Sequence, residues 1–68
     1  MEISKIPDDE LKNDLRDSLE DIETCTLALM AGVTRYSGGS VSDRLAANLL
    51  IAGKIKDELL RRGYVIKE

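Results

Sequence analysis

The stretch Thr34-Arg35-Tyr36-Ser37-Gly38-Gly39-Ser40 gathers hydroxyls, an arginine, an aromatic ring and two adjacent glycines between two segments of helical pattern. Those residue types suit an anionic ligand. Gly38 and Gly39 reach backbone conformations closed to other residues. They lead into a helix start, where the first N–H groups lack intrahelical partners and the dipole is positive. Arg35 and Arg44 add charge, Thr34, Ser37 and Ser40 add hydroxyl contacts, and Tyr36 offers a face to a base. Thr34, Arg35, Tyr36, Ser37, Gly38, Gly39, Ser40 and Arg44 are therefore the candidate ligand-binding residues, and the ligand they suit is a phosphate-bearing, nucleotide-like small molecule. A plain turn is the competing reading, since glycine permits tight reversal and serine commonly caps a helix. The connection, 32–39, is longer than a minimal helix–helix link. It lacks the lysine and glycine spacing of a P-loop, and no strand precedes it as in a dinucleotide fold.

Other chemistries find less support. Cys25 is the sole cysteine of a chain without histidine, which excludes a disulfide within the chain and leaves a zinc site or a Cys–His nucleophile without partners. It lies among apolar residues of a helix and reads as a buried thiol. Glu20, Asp21 and Glu23 resemble the acidic helices by which all-α nucleotide pyrophosphohydrolases hold magnesium, but the doubled glutamate motif is incomplete and the second acidic motif is missing. A solvated helix face accounts for the same charges. The expectation is a non-enzymatic protein with no cofactor and no metal site.

The elements that must position the loop are helices. Pro7 followed by Asp8, Asp9 and Glu10 predicts a helix start, with Asp8 as cap and acidic residues at the positive end of the dipole. Leu15, Leu19, Ile22, Thr26, Leu29 and Val33 then alternate at spacings of four and three, one helical stripe, with Gly32 as its stop. Ser40 and Asp43 have the form of a capping box. Val41, Leu45, Leu49, Ala52, Ile55 and Leu59 carry the apolar face of a second helix, which ends with Arg61, Arg62 and the stop Gly63. The i, i+4 pairs Asp57–Arg61 and Glu58–Arg62 are expected ion pairs. The predicted fold is all-α: an antiparallel two-helix hairpin forming one domain, 1–68, with helix 1 at about 8–31, a loop at 32–39 and helix 2 at about 41–62. Minor β pairing of the termini, 2–5 with 64–67, is an added expectation.

Sixty-eight residues make a marginal core for one copy. Residues 25–33 are apolar almost all round, and Leu49, Leu50 and Ile51 point in three directions, so a hairpin leaves apolar surface over. A homo-oligomeric helical bundle, at minimum four helices, is the expected remedy, with an interface of Leu19, Ile22, Thr26, Leu29, Met30, Leu45, Leu49, Ala52, Gly53 and Ile55. Gly53 offers a place for close backbone approach, and Asn48 a polar group able to fix register.

The net charge of −3 hides an asymmetry: residues 8–31 hold eight acidic and two basic side chains, residues 33–68 seven basic and four acidic. The halves complement each other, and the modest basic cluster of the second helix argues against nucleic acid as a partner. No secretory signal and no membrane-length apolar run is visible, which places the protein in the cytoplasm. In size and architecture such a chain resembles the small phage proteins that sequester cyclic-nucleotide signals of bacterial defence systems; the resemblance implies a sponge for an anionic ligand and assigns no residue. The alternative is a protein-interaction module, a small inhibitor or adaptor that docks through its acidic first helix or its apolar surface.

Overall fold

A computed structural model describes residues 2–65. A 3-10 turn at Ile3–Lys5 precedes helix α1, Asp8–Met30; strands β1, Arg35–Tyr36, and β2, Gly39–Ser40, lie in the connection; helix α2 is Val41–Arg61. The protein is thus mostly helical, two antiparallel helices with a short antiparallel strand pair. Arg35 faces Ser40 and Tyr36 faces Gly39 across that pair.

Local chemistry sets the helix ends. Pro7, extended, takes the cap position of α1, and its carbonyl accepts from Leu11 N–H at 3.0 Å. Asp8, the expected cap, is the first helical residue and makes no capping bond; its carboxylate is drawn to the other end of the chain, as described below. Ser40 does cap α2, its hydroxyl accepting from Asp43 N–H at 3.4 Å. Both helices close in the same way: Gly32 and Gly63 take positive φ, 85° and 99°. Val33 N–H then reaches back to Ala28 O and Tyr64 N–H to Leu59 O, which satisfies carbonyls a helix end leaves open.

The hairpin is closed at the end where residues 3–11 meet residues 55–64. Leu11, fully buried, packs with buried Ile55 and Leu59, and Ile3, Ile6, Leu15 and Tyr64 cover them. A polar clamp overlies this cluster. Glu58, 7% exposed, accepts from Arg61 Nη2 at 2.6 Å and from Arg62 Nε at 2.7 Å. Arg62 also pairs with Asp8, and Tyr64 donates its hydroxyl to the other Asp8 oxygen at 2.6 Å. Of the two expected i, i+4 pairs, Glu58–Arg62 forms and Asp57–Arg61 does not, because Arg61 turns to Glu58 and Asp57 lies 4.0 Å from Lys56. Arg62 further donates to Ile3 O and Ser4 O, 3.2 Å each. That contact corrects the expected β pairing of the termini: residues 3–5 wind into a 3-10 turn whose carbonyls face the guanidinium, while 66 and 67 lie outside the described residues.

Of the expected interface, Ala52 and Ile55 belong to the interior of the hairpin, at 8% and 5% exposure. Ile22, Leu29, Leu45 and Gly53 are half-buried, whereas Leu19, Thr26, Met30 and Leu49 are exposed. No described helix is long and apolar enough to cross a membrane.

The clamp predicts an acid response. The two arginines bonded to Glu58 hold its carboxyl at about 2, against an ordinary 4.5, and the Tyr64 hydroxyl and Arg62 hold Asp8 low as well. Groups depressed on folding contribute stability that is complete above their unfolded values and lost as pH falls through the folded ones. The melting temperature of the wild type, followed by circular dichroism, should therefore fall from about pH 5 towards pH 2. Glu58→Gln should melt lower at neutral pH and show a shallower acid slope.

Candidate functional site

The connection folds as a miniature β-hairpin, and this decides where its side chains go. Ser37 and Gly38 form its tip, and the Tyr36 ring lies over Gly38: a Cβ there would sit 2.6 Å from Tyr36 Cε2. Gly39, with φ 143°, takes a conformation that side chains disfavour. Tyr36 is thereby turned towards the first turn of α2, and the Arg44 guanidinium stands 5.5 Å from its ring centre, a cation–π distance.

Beneath these two side chains lies a cleft of about 240 Å³, lined by Asp21, Thr24, Cys25, Ala28, Val33, Tyr36, Val41 and Arg44. Its floor is apolar: Cys25 and Val41 are buried, at 5% and 4% exposure. Its rim is polar. Arg44 Nη2 donates to Asp21 Oδ2 at 3.0 Å, and Asn48 Nδ2 approaches the same oxygen at 3.5 Å while donating to Arg44 O at 3.0 Å. Asp21 first, and Tyr36 after it, hold the Arg44 guanidinium above its ordinary range, so it carries its charge at every working pH.

The structure brings together only part of the site expected from sequence. Tyr36 and Arg44 line the cleft. Thr34, Arg35, Ser37 and Gly38 are exposed on the hairpin. Ser40 is committed as a cap and to Ser42 Oγ at 2.9 Å. The helix start is less open to an anion than expected, because Val41 N–H is bonded to Thr34 O at 3.1 Å and Asp43 N–H to Ser40. Of the charged and backbone donors expected here, the Arg44 guanidinium is the one placed at the cleft.

Asp21, Thr24, Cys25, Ala28, Val33 and Val41 enter the site only with the fold. Asp21 was detectable in principle: in an antiparallel hairpin it stands level with Arg44 and Asn48, one turn apart on α2. The Asp21 and Arg44 side chains are 40% and 45% exposed, so an incoming anion can compete for the guanidinium without opening the interior. Among the described residues, no group of three or more His, Cys, Asp or Glu side chains is placed to hold a metal ion.

No known protein family matches this chain, and neither a curated protein nor a solved structure matches it.

Cys25 reports on the cleft. In the native protein its thiol should react slowly with a disulfide reagent. Gly38→Ala, which forces the Tyr36 ring aside, and Tyr36→Ala, which removes it, should each raise the labelling rate severalfold while the helical circular dichroism is unchanged.

Proposed function

We propose that the chain is a non-enzymatic binding protein whose site is the cleft under Tyr36 and Arg44, and whose ligand joins a planar, base-like ring to an anionic group. One observation carries this reading: the aromatic ring and the guanidinium chosen from sequence flank the same apolar-floored cleft, with the Asp21 carboxylate on its rim. Each wall suits one part of such a ligand. The floor of Cys25, Ala28, Val33 and Val41 takes the ring's apolar surface. Tyr36 supplies a stacking face. Asp21 Oδ2 is occupied by Arg44 and Asn48, while Oδ1 has no hydrogen-bond partner among the described residues and can accept from a ring N–H or an exocyclic amine. Arg44 spends one of its five N–H donors on Asp21, and the remaining donors suit a phosphate.

Size refines the reading. At about 240 Å³ the cleft falls below the roughly 300–1,000 Å³ of a typical small-molecule site. It holds a ring, and the sugar and phosphate extend outward over Arg44 and the hairpin hydroxyls. The alternative reading, a protein-interaction module, draws on a different observation, the exposed Leu19 and Leu49 that border a second, apolar groove.

Calorimetric titration with AMP, GMP and a cyclic dinucleotide tests the proposal. At least one should bind. Arg44→Ala and Tyr36→Ala should each weaken binding about tenfold or more, the loss of one charge-assisted or stacking contact. Gly39→Val, strained at its φ of 143°, should do the same. Heats indistinguishable from dilution for every nucleotide, or full affinity in both Arg44→Ala and Tyr36→Ala, would remove the reading.

A further inference from the structure

The side of the hairpin opposite the cleft poses a separate problem. The chain measures 39 × 27 × 15 Å, the thickness of a single layer of helices, whereas stable domains bury their apolar stripes between at least two layers. Its total accessible surface, 5140 Å², exceeds by about 900 Å² the value of roughly 4,250 Å² expected for a folded monomer of this mass. That excess is the size of one partner's share, about 800 Å², in a standard interface.

Exposed apolar surface is concentrated along one groove. Leu15, Leu19 and Ile22 of α1 and Leu49, Ala52 and Gly53 of α2 border an open groove of about 330 Å³ along one face. Leu19 and Leu49 project from it, 51% and 53% exposed. Gly53 lies one turn beyond Leu49, and a Cβ built there would meet nothing within 4 Å. Packing within the chain therefore gives no reason for a glycine, which destabilises a helix interior relative to alanine. The hollow is open towards whatever covers the face.

We infer that this face is covered by a second copy of the chain, related by a two-fold axis that passes level with Leu19 and midway between Leu49 and Gly53, giving an antiparallel four-helix bundle. The face is self-complementary about that axis. Leu49 of each copy enters the hollow at Gly53 of the other, knob into hole. On the rim, Arg16 and Glu23 lie about one turn to either side of Leu19, so the same rotation brings Arg16 of one copy to Glu23 of the other. Among the described residues neither has an ion-pair partner within its own chain. Lys56, the charged residue in the groove, is carried by the axis to the neighbourhood of Ala46 and away from its own copy. An isologous contact of this kind closes on itself and leaves the Tyr36–Arg44 cleft open on the outer face of each subunit. The pairing stands independently of the ligand reading.

Sedimentation equilibrium of the full chain over a micromolar concentration series tests the inference. The wild type should be dimeric. Leu49→Glu and Gly53→Leu should each weaken association at least about 30-fold, as central interface residues do, and the leucine at 53 should leave helix content intact because the isolated chain has room for it. Arg16→Glu should weaken it about tenfold through its two symmetric pairs, and adding Glu23→Arg should restore it. A folded monomer throughout, a dimer indifferent to Leu49→Glu and Gly53→Leu, or a charge reversal that the second reversal does not rescue would overturn the inference.

Discussion

Two helices lying side by side can bury one stripe each, and this chain spends those stripes on a narrow seam. Leu11, Cys25, Val41, Ala52, Ile55 and Leu59 fill it. A layer 15 Å thick has no interior beyond that seam. Beyond Ile3, Ile6, Leu15 and Tyr64, which cover its closed end, large apolar side chains such as Leu19, Leu27, Leu49 and Leu50 are left exposed. The constraint explains why so short a chain carries half-exposed leucines together with a polar, cleft-bearing side.

The polar clamp at the closed end answers the same constraint. With so little apolar surface to hold the 3-10 turn against the end of α2, Arg62 gathers Glu58, Asp8 and two carbonyls of that turn, and Tyr64 adds a hydroxyl to Asp8. Ions so close to the interior are costly unless fully paired, and among the described residues no buried side-chain polar atom lacks a partner. The arrangement fixes the register of α2 against α1 from one end. The Asp21, Arg44 and Asn48 contacts repeat the device at the other, next to the loop.

Features written in neighbouring residues were legible in the sequence. Ser40 three residues before Asp43, and Gly32 and Gly63 after their helices, act through bonds spanning a few positions, and those ends fall within one residue of expectation. Features that depend on distant residues were not. Residues 3–5 have the composition of a strand, and their carbonyls become a turn because an arginine 58 and 59 residues away binds two of them. Asp21 reads as one more solvated acid until α2 folds back and presents Arg44, 23 positions on. The loop's strands are two residues each, too short to leave an alternating pattern.

The hairpin presents two different surfaces, an apolar groove bordered by Leu19 and Leu49 and a cleft under Tyr36 and Arg44, and the proposals assign a second copy to the first and a ring-bearing anion to the second. Methyl and backbone NMR spectra of the labelled protein, recorded across a dilution series and again across a titration with GMP, test that division most directly. The account predicts two disjoint sets of moving signals: Leu15, Leu19, Ile22 and Leu49 on dilution, and Val33, Val41, Arg44 and Tyr36 with the nucleotide. Signals of the leucine face that follow the nucleotide, or cleft signals that follow dilution, would contradict it.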